Sequence, residues 1–304
     1  MSLDLKKIIQ KHGAEDFGKK YLFIPFSESD ELIVLLSAHN QKEKYFLLRT
    51  FIEHKKHNLL FITDPNNTWY LDGDGGATYN KILEKIFVNF SKKKIYVFGS
   101  SMAGYGALHF AIINDVNCLV CNPQVDLNLS IEFGWPELNE NMSKLLAYGE
   151  KVNIAKLLDS TLYTSCICVI HGHKPIDVAN VELLLGSASA TRKILVYTIE
   201  TDDHSMPFGR DVDKVYQVIE LMKKFVSFNI DCKEQAEKLS TIRENRKDCI
   251  VHGYVVPHRF LARRSKPLYN MGFTWSIRRS RVNIFFRCWI LYLKRENFWC
   301  FLYF

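Results

Sequence analysis

The chain has 304 residues, of which 47% are hydrophobic and 24% are charged, values that are ordinary for a globular protein. This length predicts one α/β domain that buries a large core, followed by an appendage. The formal net charge of +7 is uneven, because eight arginines, two lysines and one glutamate after residue 248 contribute +9. We therefore predict a domain over 1–235 and a basic, aromatic-rich tail over 236–304. We expect every strand and every site residue to lie in the first part.

The cysteines and the N-terminal segment restrict the class of protein further. Eight cysteines are scattered without a dense spacing pattern, which indicates reduced, mostly buried thiols in a cytosolic protein. Cys118 and Cys121 form a C-x-x-C pair inside a predicted strand. Positions i and i+3 of a strand face opposite sides, so we expect no metal or redox pair there. The N-terminal segment lacks the apolar run of about 7–15 residues that a signal peptide contains.

Short apolar strands alternate with helices along the first 235 residues. The predicted strands are 21–26, 32–38, 59–64, 95–99, 116–123, 165–172 and 193–200. The predicted helices are 43–54, 79–90, 103 to about 113, and 211–226. Such alternation predicts an α/β fold with a mostly parallel sheet and helices on both faces. Sites in these sheets form beyond the carboxyl ends of the strands.

Two longer connections interrupt this alternation. Residues 125–164, which include Trp135, separate two strands by far more than a short loop. We interpret them as a helical lid that excludes water from a site; a longer crossover helix that only covers the sheet is the alternative. The glycine-rich segment 71–78 lacks the ending of a phosphate loop. A calcium loop that begins at Asp72 would need a glutamate where Leu83 stands, so we predict a turn and no metal site.

The segment GSSMA at 99–103 connects a predicted strand to a predicted helix. It fits the pattern G-x-S-x-G except that Ala103 replaces the last glycine, with Gly104 following. Such a reversal of chain direction forces one residue into a strained conformation and exposes its hydroxyl. The pattern assigns the nucleophile position to Ser101, whereas Ser100 is expected to face the sheet. A glycine-containing turn with incidental serines is the alternative, because short motifs recur by chance.

A nucleophilic serine needs a base, and the base needs an orienting acid. His204 lies in the loop after the last predicted strand of the domain, where this chain order expects the base. Asp177 is the first carboxylate after the 165–172 strand, and we predict that it is the acid. An N-cap of the following helix is the alternative interpretation of Asp177. Asp202 and Asp203, beside the base, are further candidates for the acid.

Two backbone N–H groups must also face the oxyanion that forms during acyl transfer. The N–H of Met102 qualifies by its position after the nucleophile. The second donor is expected from the loop after the 32–38 strand, at Ala38 or His39. A surface-loop position without a role is an equally open interpretation of His39.

The segments GSSMAGYGA, LIVLLSAHN, CNPQVDL, GHKPID and DDHSMP together resemble the α/β-hydrolase superfamily. More narrowly, they resemble small α/β-hydrolase-fold proteins of bacterial surface-polysaccharide clusters, including capsule O-acetyltransferases. The resemblance covers about residues 20–228 and excludes the tail. Many hydrolases of this type place the acid three residues after a glycine, where this chain has Pro175, so the resemblance leaves the acid open.

These features predict a serine-dependent acyl-transfer enzyme, an esterase that acts on a small acyl ester and requires no cofactor. One alternative is an O-acetyltransferase that moves an acetyl group from acetyl-CoA to a surface polysaccharide. Another is a catalytically inactive hydrolase-fold protein in polysaccharide assembly. We expect a small acyl ester or a saccharide as substrate, and a cytoplasmic location.

The tail combines arginines with aromatic residues, among them Trp275, Trp289 and Trp299. Its most apolar segment, 282–293, contains Arg287 and is too short for a transmembrane span. This composition suits peripheral contact with a membrane surface, and no nucleic-acid binding is expected. A shifted reading frame or a disordered appendix would explain the composition of the tail equally well.

Overall fold

A computed structural model describes residues 3–147, 152–187, 193–227 and 298–303. Within these ranges nine strands form one sheet with the order β1-β2-β4-β3-β5-β6-β7-β8-β9. Their bounds are β1 (Gly13–Asp16), β2 (Lys19–Ile24), β3 (Leu32–Leu36), β4 (Asn58–Ile62), β5 (Ile95–Ser100), β6 (Asn117–Cys121), β7 (Cys166–His171), β8 (Lys193–Ile199) and β9 (Phe298–Tyr303).

The centre of the sheet is parallel and its edges are antiparallel. Strands β4, β3, β5, β6, β7 and β8 pair in parallel, whereas β1 and β2 at one edge and β9 at the other run antiparallel to their neighbours. The predicted mostly parallel sheet is therefore confirmed. The carboxyl ends of six central strands meet along one edge, where the loops that follow them lie side by side.

Helices connect the strands and cover the sheet. They are α1 (Leu5–His12), α2 (Leu48–Glu53), α3 (Ala77–Phe87), α4 (Met102–Asn114), α5 (Leu127–Phe133), α6 (Pro136–Ala147), α7 (Ile154–Ser160), α8 (Pro175–Ser187) and α9, which spans 212–227. None of the helices in the described part of the chain has the length and apolar character needed to cross a membrane.

Two hydrophobic cores lie on opposite faces of the sheet. Helices α3, α4, α7 and α8 contribute to one core, and α2 and α9 contribute to the other. Strand β6 shows why the strands read as continuous apolar runs, because its last four residues are buried and alternate between the two cores. Cys118 belongs to the first core and Cys121 to the second. Both are free thiols, and burial raises the pKa of each.

The predicted helix at 43–54 is wrong over its first half. Lys42 and Leu47 have positive φ angles, so the chain forms an irregular loop and α2 begins only at Leu48. Tyr45 nevertheless packs against the second core. The helical spacing of apolar residues in this segment thus arose from burial of a loop.

The described parts of 125–164 contain α5, α6 and α7. Of the predicted tail, only β9 belongs to the described residues. It pairs with β8 in register from Ile194↔Tyr303 to Ile199↔Phe298. The described residues of the predicted tail thus add a strand beside β8 that the sequence analysis did not predict.

Candidate active site

Ser101 occupies a sharp turn between β5 and α4. Its backbone angles, φ 55° and ψ −119°, lie in a region that residues other than glycine rarely adopt. A Cβ atom at Gly99 would lie 2.1 Å from the carbonyl oxygen of Ala103, so the strand end and the helix start require a glycine there. A Cβ atom at Gly104 would lie 2.9 Å from the Cα atom of Pro123. The second close approach falls at 104, which explains how Ala103 can replace the last glycine of the motif.

The structure brings Ser101, His204 and Asp177 together in one hydrogen-bonded chain. The Ser101 hydroxyl lies 2.7 Å from Nε2 of His204, and Nδ1 of His204 lies 2.6 Å from Oδ1 of Asp177. The side chains of His204 and Asp177 are 10% and 1% exposed. A neutral imidazole fits both contacts, because Nδ1–H donates to the carboxylate while Nε2 accepts from the hydroxyl.

Asp177 reaches this chain from the first turn of α8. The helix begins at Pro175, two positions before Asp177, so the N-cap interpretation of Asp177 is wrong. A helix N-terminus favours a carboxylate, because the first N–H groups carry partial positive charge. In this chain the carboxylate therefore comes from the first helical turn, two residues after Pro175.

The other candidates from the sequence lie elsewhere. Asp202 and Asp203 are exposed, and Oδ1 of Asp203 accepts a hydrogen bond from the N–H of Ser205 at 3.2 Å. Ser100 ends β5, is 6% exposed and lies in register with Cys121 of β6. Ser100 is thus part of the sheet, as expected from the pattern.

The two expected oxyanion donors lie on neighbouring segments. Met102 begins α4 directly after Ser101 and is buried. Strands β3 and β5 pair in parallel with Leu35 opposite Phe98, so the loop with Ala38 and His39 leaves the sheet beside the Ser101 turn. Ala38 and His39 are half-buried. The neighbouring strand ends thus put both donor segments on the same side of the sheet.

Helix α6 and the residue before it lie over these loops. The Trp135 ring centroid lies 5.2 Å from that of His204, and the Lys174 ammonium lies 5.3 Å from the Trp135 centroid. On the other side of the site, Nε2 of His39 lies 3.0 Å from the Asn141 side-chain nitrogen. Burial lowers the pKa of His39, which favours the neutral ring as the acceptor in this contact. Sequence reasoning assigned Trp135 to a lid but missed its contact with His204, for which the chain offers no local signal.

This arrangement can take a proton from a serine hydroxyl and hold the resulting imidazolium beside a carboxylate. Among the described residues no group of three or more histidine, cysteine, aspartate or glutamate side chains could hold a metal ion. The side chains of Ser101, His204 and Asp177 offer nucleophilic and acid–base chemistry.

Comparison with solved structures agrees with this fold. The capsule O-acetyltransferase of Neisseria meningitidis serogroup A is 18% identical, with a TM-score of 0.51 over 71% of this chain and 94% of that chain. A histidine-to-alanine mutant of that enzyme in complex with CoA is 17% identical, with a TM-score of 0.50 over 70% of this chain and 94% of that chain. The HSL homologue EstE7 from a metagenome library is 13% identical, with a TM-score of 0.52 over 70% and 85% of the two chains.

These likenesses, at low sequence identity, concern the fold. No protein-family model matches the chain, and no curated protein matches its sequence. The parallel sheet, the strained turn after β5 and the histidine loop after β8 form an α/β-hydrolase fold, as the sequence analysis expected.

Proposed function

We propose that this protein is a serine-dependent acyl-transfer enzyme that hydrolyses a small acyl ester. The observation that carries the proposal is the hydrogen-bonded chain from the Ser101 hydroxyl through His204 to Asp177. A strained turn presents the hydroxyl, and the low exposure of the imidazole and the carboxylate protects both contacts from water. A surface serine beside a histidine would have neither feature.

In the first half of the reaction, the Ser101 oxygen attacks the carbonyl carbon of the ester while Nε2 of His204 takes the hydroxyl proton. The carbonyl oxygen becomes an oxyanion, which the N–H groups of Met102 and of Ala38 or His39 stabilise. The bond to the leaving alcohol then breaks, and His204 returns the proton to that alcohol. Asp177 holds the imidazole in the tautomer with Nδ1–H and stabilises the transient imidazolium.

In the second half, a water molecule attacks the acyl group on Ser101 and gives its proton to His204. The serine oxygen leaves and recovers that proton, which releases the carboxylic acid. Neither half requires a cofactor. The same residues would transfer the acyl group to an alcohol if a hydroxyl group replaced the water.

An O-acetyltransferase is the second candidate function. The observation that favours it is the cover over the site, because Trp135 packs on His204 and α6 contacts the loop of His39. A transferase must keep water from the acyl-enzyme, and such a cover supports that task. The fold shared with a capsule O-acetyltransferase, solved also as a mutant with CoA, supports acetyl-CoA as donor and a saccharide hydroxyl as acceptor.

The test compares Ser101→Ala with Ser100→Ala in hydrolysis of p-nitrophenyl acetate and in labelling by a fluorophosphonate probe. Ser101→Ala should lose labelling and reduce kcat by several orders of magnitude, on the order of 10⁶ in a well-studied serine protease. Ser100→Ala is the matched control and should retain both. Absence of labelling in the wild-type protein would contradict the proposal and favour a non-catalytic protein of polysaccharide assembly.

The same reagents distinguish the two candidate functions. If acetyl-CoA is the acyl donor, it should protect Ser101 from the probe and release free CoA when a saccharide acceptor is added. An esterase should show neither effect while it still hydrolyses the ester.

A further inference from the structure

Residues Cys121 to Gln124 comprise the last residue of β6 and the three residues after it. They contact the Ser101 turn through backbone hydrogen bonds. The Ser101 N–H donates to the Cys121 carbonyl at 3.0 Å, and the Gln124 N–H donates to the Ser101 carbonyl at 3.5 Å. Both backbone polar groups of Ser101 therefore bond to this segment, and the Ser101 carbonyl also accepts from the Tyr105 N–H of α4 at 3.2 Å. This segment fixes the position of the turn relative to β6.

The Asn122 side chain binds two other loops from the same segment. Its Nδ2 donates to the Ser205 carbonyl at 3.0 Å, and its Oδ1 accepts from the Gly172 N–H at 3.1 Å. The Asn122 backbone N–H donates to the Ile170 carbonyl at 2.8 Å. Asn122 is fully buried, so water does not compete for these bonds. Ser205 directly follows His204, so the amide reaches the loop of the base.

The chemistry of this position calls for asparagine. Its φ of 45° is left-handed, a conformation that asparagine tolerates better than most residues. The bridge needs a donor and an acceptor on one short side chain, because one partner is a carbonyl and the other is an N–H group. Those partners also settle the orientation of the amide, since a flipped amide would face donor to donor and acceptor to acceptor.

We propose that Asn122 is a positioning residue that sets the hydrogen bond between Ser101 and His204. This inference rests on the proposed function. The segment 121–124 holds the Ser101 backbone by its main chain and the His204 loop by the Asn122 amide. The 2.7 Å contact between Ser101 Oγ and His204 Nε2 spans two loops that this one segment connects. Asn122 does not touch the reacting atoms and acts through the position of His204.

Two variants test the bridge. Asn122→Gly keeps the left-handed backbone accessible and removes the whole side chain. Asn122→Asp keeps the shape and the acceptor for Gly172 but sets a carboxylate against the Ser205 carbonyl. If either variant does not fold, the other still tests the proposal.

Asn117 provides a matched control at the opposite end of the same strand. Its Nδ2 donates to the carbonyls of Lys93 at 2.9 Å and Ile95 at 3.2 Å, and its Oδ1 accepts from the Cys166 N–H at 3.2 Å. Asn117 is 6% exposed. The Asn117 side chain therefore makes the same kind of hydrogen-bonded bridge, here between the segments on either side of β6. This bridge lies far from Ser101. Asn117→Gly and Asn117→Asp should lower the melting temperature without a specific effect on the site.

The experiment measures the rate of fluorophosphonate labelling and the kcat and KM for p-nitrophenyl acetate, at a temperature where every variant is folded. The Asn122 variants should lose about 10²-fold in labelling rate and in kcat, with KM nearly unchanged, because a misplaced base affects the chemical step more than binding. The Asn117 variants should stay within about twofold of wild type in both rates.

Equal rates in the Asn122 variants, the Asn117 variants and wild type would overturn the proposal. So would losses of similar size at both positions, which would indicate a purely structural role. A wild-type protein that is never labelled would instead contradict the proposed function itself, so the two failures are distinguishable.

Discussion

Ser101, His204 and Asp177 are each held by a different local constraint. Ser101 is held by a strained turn, His204 by a loop that is bound to Asn122, and Asp177 by the first turn of α8. The serine and the histidine follow from sequence because each stands at a recognisable place, a glycine-flanked turn and the loop after a strand. From the sequence, Asp177 remained one of three candidates for the acid, because its contact with His204 depends on how α8 packs.

Replacement of Asp177 by asparagine tests the assignment of the acid. Asp177→Asn should lower kcat by roughly 10⁴, as in a serine protease whose triad aspartate was replaced, because an amide does not hold the required tautomer. Asp202→Asn and Asp203→Asn are the matched controls and should remain near wild type, since both residues are exposed. The measurement is steady-state hydrolysis of p-nitrophenyl acetate. A large loss at position 202 or 203 with none at 177 would transfer the role to the His204 loop.

At the scale of elements, strands β2 to β8 were predictable, whereas the edge strand β1 and one loop were not. Each central strand is buried on both faces, so it reads as a continuous apolar run between polar segments. The segment before α2 misled the sequence analysis, because Tyr45 is part of a core while Leu47 has a left-handed backbone. A periodic apolar pattern records burial, and a loop that packs on a core can produce it.

The turn between β5 and α4 makes a prediction about glycines. Gly99→Ala should destabilise the fold by more than about 3 kcal/mol, because its Cβ atom would lie 2.1 Å from the Ala103 carbonyl oxygen. Gly186 in α8 is the matched control, since a Cβ atom there has no neighbour within 4 Å. Gly186→Ala should stabilise by up to about 1 kcal/mol. Urea unfolding measures both. Similar stability of the two variants would contradict the geometry of the turn.

At the scale of the whole molecule, β9 shows what the sequence could not reveal. It pairs with β8 across about a hundred residues of chain, and nothing in the composition of the tail indicates this partner. Helix α1 was also not predicted; it is only eight residues long and has no buried residue, although Leu5, Ile8 and Ile9 follow helical spacing. Peripheral membrane contact through the tail stays a prediction.

Buried histidines make the stability of the molecule depend on pH. His109 on α4 is 5% exposed, and burial lowers its pKa from 6.5 to about 4. Between these two values the unfolded chain binds a proton that the folded chain does not. As far as His109 is concerned, the free energy of unfolding is therefore highest above pH 6.5 and declines as the pH falls towards 4. The pKa values of other histidines are lowered in the same direction, namely His12, His39, His57 and His171.

The variant His109→Leu should remove part of this acid sensitivity. The wild-type melting temperature should fall between pH 7 and pH 5, and His109 should account for on the order of 2 kcal/mol of that loss. The His109→Leu protein should show a smaller fall, by several degrees. His54→Leu, at a half-exposed position, is the control for the loss of a histidine side chain as such. Identical pH dependence in all three proteins would rule out His109 as the source.

Mass spectrometry of a trapped intermediate tests whether Ser101 forms a covalent acyl-enzyme. The protein is mixed with p-nitrophenyl acetate, quenched in acid within the first turnover and digested. We expect the mass of one acetyl group on Ser101 in the wild-type protein, and none at that position in Ser101→Ala. Acetylation of Ser100, or no acetylated serine in this turn while the ester is hydrolysed, would contradict the assignment of Ser101 as the nucleophile.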